Sequence, residues 1–312
     1  MGLNIVVAGT GSIGRRHAEN FRSLGARVTA LSWREAGMEG YRAALNGSDG
    51  VVIATATGLR LPLIEATAAA GLPLYIEKPL AVTPAEVEAI AAATAPVAER
   101  SMLGYMMRYH PAFRALADSD LGDVFQFSLC IGHDVTQWRE NWRFSQSYAA
   151  QGEGGGVLLD LCHEIDMAAC LFPGLGVMAV ESLGHAAYPG VDVASRVSLA
   201  GDGISGEVAM DYLTPRLHRR TILRGTEALR DFDFAAQDYR VTGAEAVRLD
   251  LPLERNAMFM AAARDFLALV EGRTPSANPH LPRLDRALPS ARLVAEARAA
   301  RRFIGTITKE IP

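Results

Sequence analysis

Leu3-Asn4-Ile5-Val6-Val7-Ala8-Gly9-Thr10-Gly11-Ser12-Ile13-Gly14 is the stretch that decides the fold. Residues 3–8 form an almost unbroken apolar run, of the kind buried on both faces of a parallel sheet. The glycines follow at once as a full GxGxxG, and a helix is expected from about 12 to 24. In that strand–turn–helix setting the glycines serve a tight turn, close backbone approach to a pyrophosphate, and helix–strand packing. Phosphates would then sit on the helix N-terminus, where free N–H groups and the dipole favour anions. Gly9, Thr10, Gly11, Ser12, Ile13 and Gly14 are therefore candidate cofactor contacts.

Outward from this turn, strand and helix alternate with short links. Strands are expected over 26–32, 50–55, 73–77 and 101–104. Helices are expected over 59–70, closing at Gly71, and over 84–94, with Thr83 as N-cap and Pro84 at the first position. This is the pattern of an α/β, doubly wound Rossmann domain, placed at residues 1–119. Past Leu121–Asp123 the pattern changes. Segments 123–133, 177–187, 193–200, 204–213 and 218–225 read as strands, interrupted by a helix at about 157–171. Two helices follow, at about 254–271 and 284–302. Residues 120–312 are read as a C-terminal α/β domain with an open, mostly antiparallel sheet.

Composition is that of a globular protein: 49% hydrophobic, 21% charged, net charge −4. That balance argues against a nucleic-acid or membrane-surface partner. No apolar run is long enough to span a bilayer. The three cysteines, Cys130, Cys162 and Cys170, fit reduced thiols better than a disulfide framework, and a cytoplasmic location is expected.

Three places carry chemistry. The first is the end of the second strand, where an acid would hold the ribose 2′-OH of NAD. Here the residues are Ser32-Trp33-Arg34, and no carboxylate precedes Glu35. A hydroxyl and a guanidinium suit a 2′-phosphate, so NADP(H) is the expected cofactor, with NAD(H) as the alternative. The second is Glu77-Lys78-Pro79, at the carboxyl end of the fourth strand, where ligands of open α/β sheets bind. Lys78 can donate to a substrate oxygen and stabilise a developing alkoxide. The third is the run from Gly154 to Asp166, with Asp160, His163 and Glu164 on one expected helix. Residues three and four apart share a helix face, so an acid stands beside His163, as a general base for an alcohol proton requires. Zinc binding by HExxH is excluded, because residue 167 is Met. No metal is expected.

Taken together, GTGSIG at 9–14, VVIATATG at 51–58, EKP at 77–79, GYMMRYHPAF at 104–113 and GGGVLLDLCHEID at 154–166 resemble the Gfo/Idh/MocA oxidoreductase family. The resemblance implies an N-terminal Rossmann domain, a C-terminal α/β domain, and substrate meeting nicotinamide between them. It implies catalytic roles for Lys78, Asp160 and His163, and cofactor contacts at Thr55, Ala56, Thr57, Glu77 and Lys78. The implied substrate is a sugar, cyclitol or sugar derivative, oxidised or reduced at a secondary alcohol or ketone. A homodimer or homotetramer through the C-terminal sheet is also implied. Two departures stand out. Only Leu161 and Cys162 separate Asp160 from His163, where many members have three residues. Arg60 also occupies a position at which many members have histidine.

Tyr105, Arg108 and His110 follow the fifth strand and are expected to face the cleft. Trp138, Arg143 and Tyr148 precede the glycine run. Rings that stack on sugar C–H faces, with arginines that pair with anions, suit a polyol or an acidic sugar. Two other functions use the same parts: a lyase or hydrolase that oxidises its sugar transiently, and a non-catalytic NADP-binding regulator.

Overall fold

The computed structural model describes residues 2–137 and 143–311. The chain divides into two compact units, Met1–His110 with Glu254–Ala291, and Pro111–Leu253 with Arg292–Pro312.

The first unit begins as β1 (Asn4–Ala8), α1 (Ser12–Ser23), β2 (Arg27–Leu31), α2 (Trp33–Leu45), β3 (Gly50–Ile53), α3 (Arg60–Ala69), β4 (Leu74–Ile76), α4 (Pro84–Thr94) and β5 (Met102–Leu103). The strands form one parallel sheet in the order β2-β1-β3-β4-β5, the doubly wound order expected. β3 and β4 are buried at every residue, which is why they read as continuous apolar runs. α1 buries Gly14, His17, Ala18 and Phe21, one helical stripe. α4 opens on a full capping box between Thr83 and Glu86, with Pro84 at its start. The helix α2 does not appear in the sequence reading. Gly37 (φ +57°) breaks it one turn in, and Gly40 dilutes its pattern.

The second unit follows as α5 (Pro111–Ala117), β6 (Val124–Gly132), α6 (Val157–Asp160), α7 (His163–Leu171), β7 (Gly176–His185), β8 (Tyr188–Gly201), β9 (Ile204–Asp211), β10 (His218–Gly225), β11 (Leu229–Asp233), β12 (Asp238–Thr242) and β13 (Ala246–Leu249). The chain continues as α8 (Arg255–Val270), α9 (Leu284–Ala300) and β14 (Arg301–Ile307). Among the described residues the second sheet runs β13-β12-β11-β10-β6-β9-β8-β7-β14. It is antiparallel except at β6–β9 and β7–β14. The strands β11 to β14 extend it beyond the sequence reading, because they are short or lie at the rim with little alternation to see. No helix among the described residues is long and apolar enough to cross a membrane.

Pattern alone puts one boundary after residue 119. The compact units interleave instead, because 254–291 returns to the first. The cause is apolar packing. Phe266 of α8 sits edge-on to Phe21 of α1 (5.9 Å) and to Tyr75 of β4 (5.8 Å), and all three rings are buried. Tyr109 also donates to Asp265 (2.9 Å), and Ser101 accepts from the backbone of Leu284 (2.8 Å). Phe266→Ala is therefore expected to destabilise the first unit by about 3–5 kcal/mol. Urea unfolding followed by tryptophan fluorescence and circular dichroism checks this, and a loss below about 1 kcal/mol would show that α8 is peripheral.

Candidate functional site

The glycine turn between β1 and α1 separates glycines that the chain needs for itself from one that it does not. Gly9 has φ +119°, and a Cβ there would lie 2.5 Å from the Ala54 carbonyl oxygen. A Cβ on Gly14 would lie 1.9 Å from the carbonyl oxygen of Gly9. Gly11 has φ −68°, and a Cβ there would meet nothing within 4 Å. The middle glycine therefore borders open space at the N-terminus of α1. That helix has no side-chain cap and no acid in its first turn, so its free N–H groups are available to an anion. These features fit a dinucleotide pyrophosphate. Thr10 and Ser12 are exposed beside it, Ile13 is half-buried, and Arg15 ties the loop down by donating to the Thr10 carbonyl (2.7 Å).

Ser32 follows β2 and stands at the N-cap position of α2, so Ser32, Trp33 and Arg34 lie at a second helix N-terminus. Arg34 is exposed and Trp33 half-buried; Glu35, also exposed, shares that turn. Thr55 is buried after β3, and Ala56 and Thr57 follow in a short 3-10 turn.

Lys78 stands just past β4, half-buried. The sequence has two lysines, Lys78 and Lys309, against 29 arginines, so an ammonium at this place is not a generic surface charge. The Lys78–Pro79 peptide is cis. Next to it, the buried Glu77 carboxylate lies 2.7 Å from His17 Nε2, and a Cβ on Gly104 would come within 3.0 Å of that carboxyl group. Burial pushes the Glu77 pKa up, but the His17 hydrogen bond and the charges of His17, Lys78 and Arg60 outweigh it and hold the group below its ordinary value. Sequence reasoning did not find His17; its signal was a polar residue on the apolar stripe of α1.

Tyr105, Arg108 and His110 are all buried within the first unit. Arg108 lies over the Tyr105 ring at 5.7 Å and donates to Ser290 Oγ at 3.0 Å, and its carbonyl accepts from Asn278. These bonds hold the 278–290 segment.

In the second unit, the single helix expected at 157–171 is two. Leu161 (φ −101°, ψ 29°) leaves helical geometry, and α7 restarts at His163. A continuous helix face shared by Asp160 and His163 is thus corrected: the two residues end one helix and begin the next. Asp160 is buried and accepts hydrogen bonds from the phenols of Tyr148 and Tyr212, the latter at 3.2 Å. Burial, and then the Asp160 charge, raise the Tyr212 pKa far above its ordinary value, so this phenol remains a donor. Tyr212 escaped the sequence reading, since it sits in a strand-end turn with no motif around it. His163 is buried, and the neighbouring Glu164 pairs with Arg219 at 2.6 Å.

The glycines before α6 serve packing. A Cβ on Gly155 would lie 2.4 Å from the Tyr148 carbonyl oxygen, and one on Gly156 (φ +98°) 2.1 Å from Asp192 Oδ1. Asp192 accepts from the Leu158 backbone N–H at 2.9 Å and pairs with Arg301 at 2.5 Å. Arg298 donates to the Gly152 carbonyl at 2.8 Å. Tyr148 and Arg143 are exposed beside this run, and Trp138 lies outside the described residues. Among the described residues no cluster of three or more His, Cys, Asp or Glu could hold a metal ion.

Residues 3–105 match a family model described as an oxidoreductase family with an NAD-binding Rossmann fold, and residues 109–229 match the GFO/IDH/MocA C-terminal domain. Over 147 residues the chain is 31% identical to inositol 2-dehydrogenase of Acidiphilium cryptum, covering 39% of this chain and 43% of that protein. Over 127 residues it is 34% identical to the rhizopine catabolism protein MocA of Rhizobium meliloti, covering 38% and 36%. The chain thus aligns with less than half the length of these curated relatives. Among solved structures, UDP-N-acetylglucosamine 3-dehydrogenase of Acidithiobacillus ferrooxidans superposes with a TM-score of 0.77 at 18% identity, covering 96% of this chain and 98% of that one. Levoglucosan dehydrogenase, in complex with NADH and levoglucosan, gives 0.76 at 20% identity, covering 96% and 98%. The 3-ketoreductase KijD10 of Actinomadura kijaniata, in complex with TDP-benzene and NADP, gives 0.75 at 18% identity, covering 98% and 99%. Identities this low speak to the shared fold.

Because the folded Glu77 pKa lies below its ordinary 4.5, the carboxylate contributes stability above that value and loses it as pH falls through the folded value. Glu77→Gln is expected to cost about 1–3 kcal/mol at pH 7. Thermal melts from pH 7 down to 3 should show the gap to wild type closing below pH 4.5, and a gap that stays constant would refute the ionised Glu77 carboxylate.

Proposed function

This chain belongs to the Gfo/Idh/MocA family of oxidoreductases, and from that premise we propose that it transfers hydride between a nicotinamide dinucleotide and a secondary alcohol or ketone of a sugar, cyclitol or sugar derivative. The observation that carries the proposal is Lys78, one of two lysines in the chain, held past β4 beside the buried Glu77–His17 pair. Its sheet also presents the open glycine turn at Gly11.

The dinucleotide supplies the hydride acceptor or donor when bound. Gly9 to Gly14 and the N-terminus of α1 receive its pyrophosphate, and Thr55, Ala56, Thr57 and Glu77 border it. Lys78 donates a hydrogen bond to the reacting oxygen and stabilises the negative charge that develops there. His163 takes the hydroxyl proton during oxidation and returns it during reduction. Asp160, pinned by Tyr148 and Tyr212, orients that acid–base group. Tyr105, Arg108, His110, Trp138, Arg143 and Tyr148 supply the groups that select the substrate; Arg143 and Tyr148 are exposed ahead of the glycine run. The names of the relatives support this substrate class: inositol, levoglucosan and a UDP-amino sugar are all polyhydroxylated.

The preferred dinucleotide in this reading is NADP(H). Ser32 and Arg34 offer a hydroxyl and a guanidinium just past β2, groups that suit a 2′-phosphate. The outer face of the second sheet is the surface proposed for pairing with a second copy.

Screening cyclitols, sugars and uronic acids at the nicotinamide absorbance tests the activity. Lys78→Ala is expected to lower kcat about 10²–10³-fold, as loss of one such donor does, while the variant still binds nucleotide. Wild-type turnover in that variant would remove Lys78 from the chemistry. KM for NADP should fall at least about tenfold below KM for NAD, a difference of roughly 1.4 kcal/mol. A KM ratio of one or an inverted ratio would overturn the cofactor preference.

A further inference from the structure

Arg60 opens α3 and is only 5% exposed. Moving a guanidinium out of water is costly unless its N–H groups are met, so its partners matter. Among its described hydrogen bonds, they are backbone carbonyls. Nε and Nη2 donate to Thr55 O at 3.1 and 2.9 Å, and Nη1 donates to the carbonyls of Glu77 and Pro79. Thr55 lies just past β3, and Glu77 and Pro79 flank Lys78 just past β4. β3 and β4 are parallel neighbours. One planar group thus bridges the ends of two adjacent strands and holds the carbonyls of the two residues that flank Lys78.

We propose that Arg60 is a positioning residue for Lys78: its guanidinium fixes the backbone from which the ammonium projects and locks that turn to the Thr55 segment. The proposal rests on the catalytic role assigned above to Lys78. Arginine is suited to it because five donors lie in one rigid plane. The two edges of that plane reach separate loops here. A lysine presents its donors from a single atom, and an imidazole offers at most two N–H groups, so neither matches the fork that serves Thr55 from one edge and Glu77 and Pro79 from the other. A side chain needed only to fill space beneath the sheet would not require a fork.

The chain's two lysines make a direct test possible. Reductive methylation with 13C-formaldehyde yields one NMR signal from Lys78, one from Lys309 and one from the α-amine, so Lys309 serves as an internal reference. Spectra of wild type and Arg60→His, which adds no amine, are compared. Turnover of unmethylated wild type, R60H, K78A and R60H/K78A is measured alongside, with a substrate from the screen. The expected result is a shifted or broadened Lys78 signal in R60H with Lys309 unmoved. kcat should fall between about ten- and a hundredfold, the scale of a displaced catalytic group. Nucleotide affinity should stay within about threefold, under 1 kcal/mol. The double variant should be no slower than K78A. An unchanged Lys78 signal, or the same R60H penalty in the K78A background, overturns the proposal. Wild-type turnover in K78A would instead refute the role of Lys78, and the methyl signal alone would then judge the clamp. Should R60H lose its cooperative melting transition, R60Q, which keeps an amide donor, takes its place in both measurements.

Discussion

The approach of α1 to β1 is the constraint on which the first unit depends. Gly14 lies so near the carbonyl of Gly9 that no side chain fits between them. This closeness aims the free end of α1 at the space beside Gly11. Two glycines thus act on the chain itself, and their effect is to leave a third with nothing against it. Electrostatics follow from sterics here, since the dipole and the free N–H groups acquire a direction only because the helix cannot sit farther away. β3 and β4, buried throughout, extend the same sheet and deliver their ends to the same side, where Thr55 and Lys78 begin their turns.

The second unit solves a different problem: how to keep several charges in a core. Asp192, almost without solvent contact, is met by Arg301, by the Ser195 hydroxyl and by the first turn of α6. Asp160 is met by two phenols and Glu164 by Arg219. Asp160, Glu164 and Asp192 thus all accept from donors of the same unit, as buried charge requires. The Asp160 carboxylate is therefore held by the Tyr148 and Tyr212 phenols and not by a helix shared with His163.

Much of this was legible in the sequence, for reasons that can be named. Strands buried on both faces show as unbroken apolar runs, and Thr83-Pro84 with Glu86 spells out a helix start. The glycine turn declared both its geometry and its ligand class. The hidden parts lack a local signature. α2 is broken at Gly37, the Leu161–Cys162 break looks helical in composition, and His17 and Tyr212 acquire meaning only from residues distant in the chain. The return of 254–291 to the first unit is equally invisible, because an apolar helix does not say which core it completes.

That return bears on how the protein comes into being. The rings of Phe21 and Tyr75 are made early, but Phe266, which closes over them, is made only after residues 111–253. At the ~5–20 residues per second of translation, that insertion alone takes roughly 7–30 s. During this interval the nascent parallel sheet has its strands but not its last aromatic cover. A ribosome-bound chain must therefore hold an unfinished core open while residues 111–253, most of the second unit, are synthesised, a window in which chaperone capture competes with premature collapse.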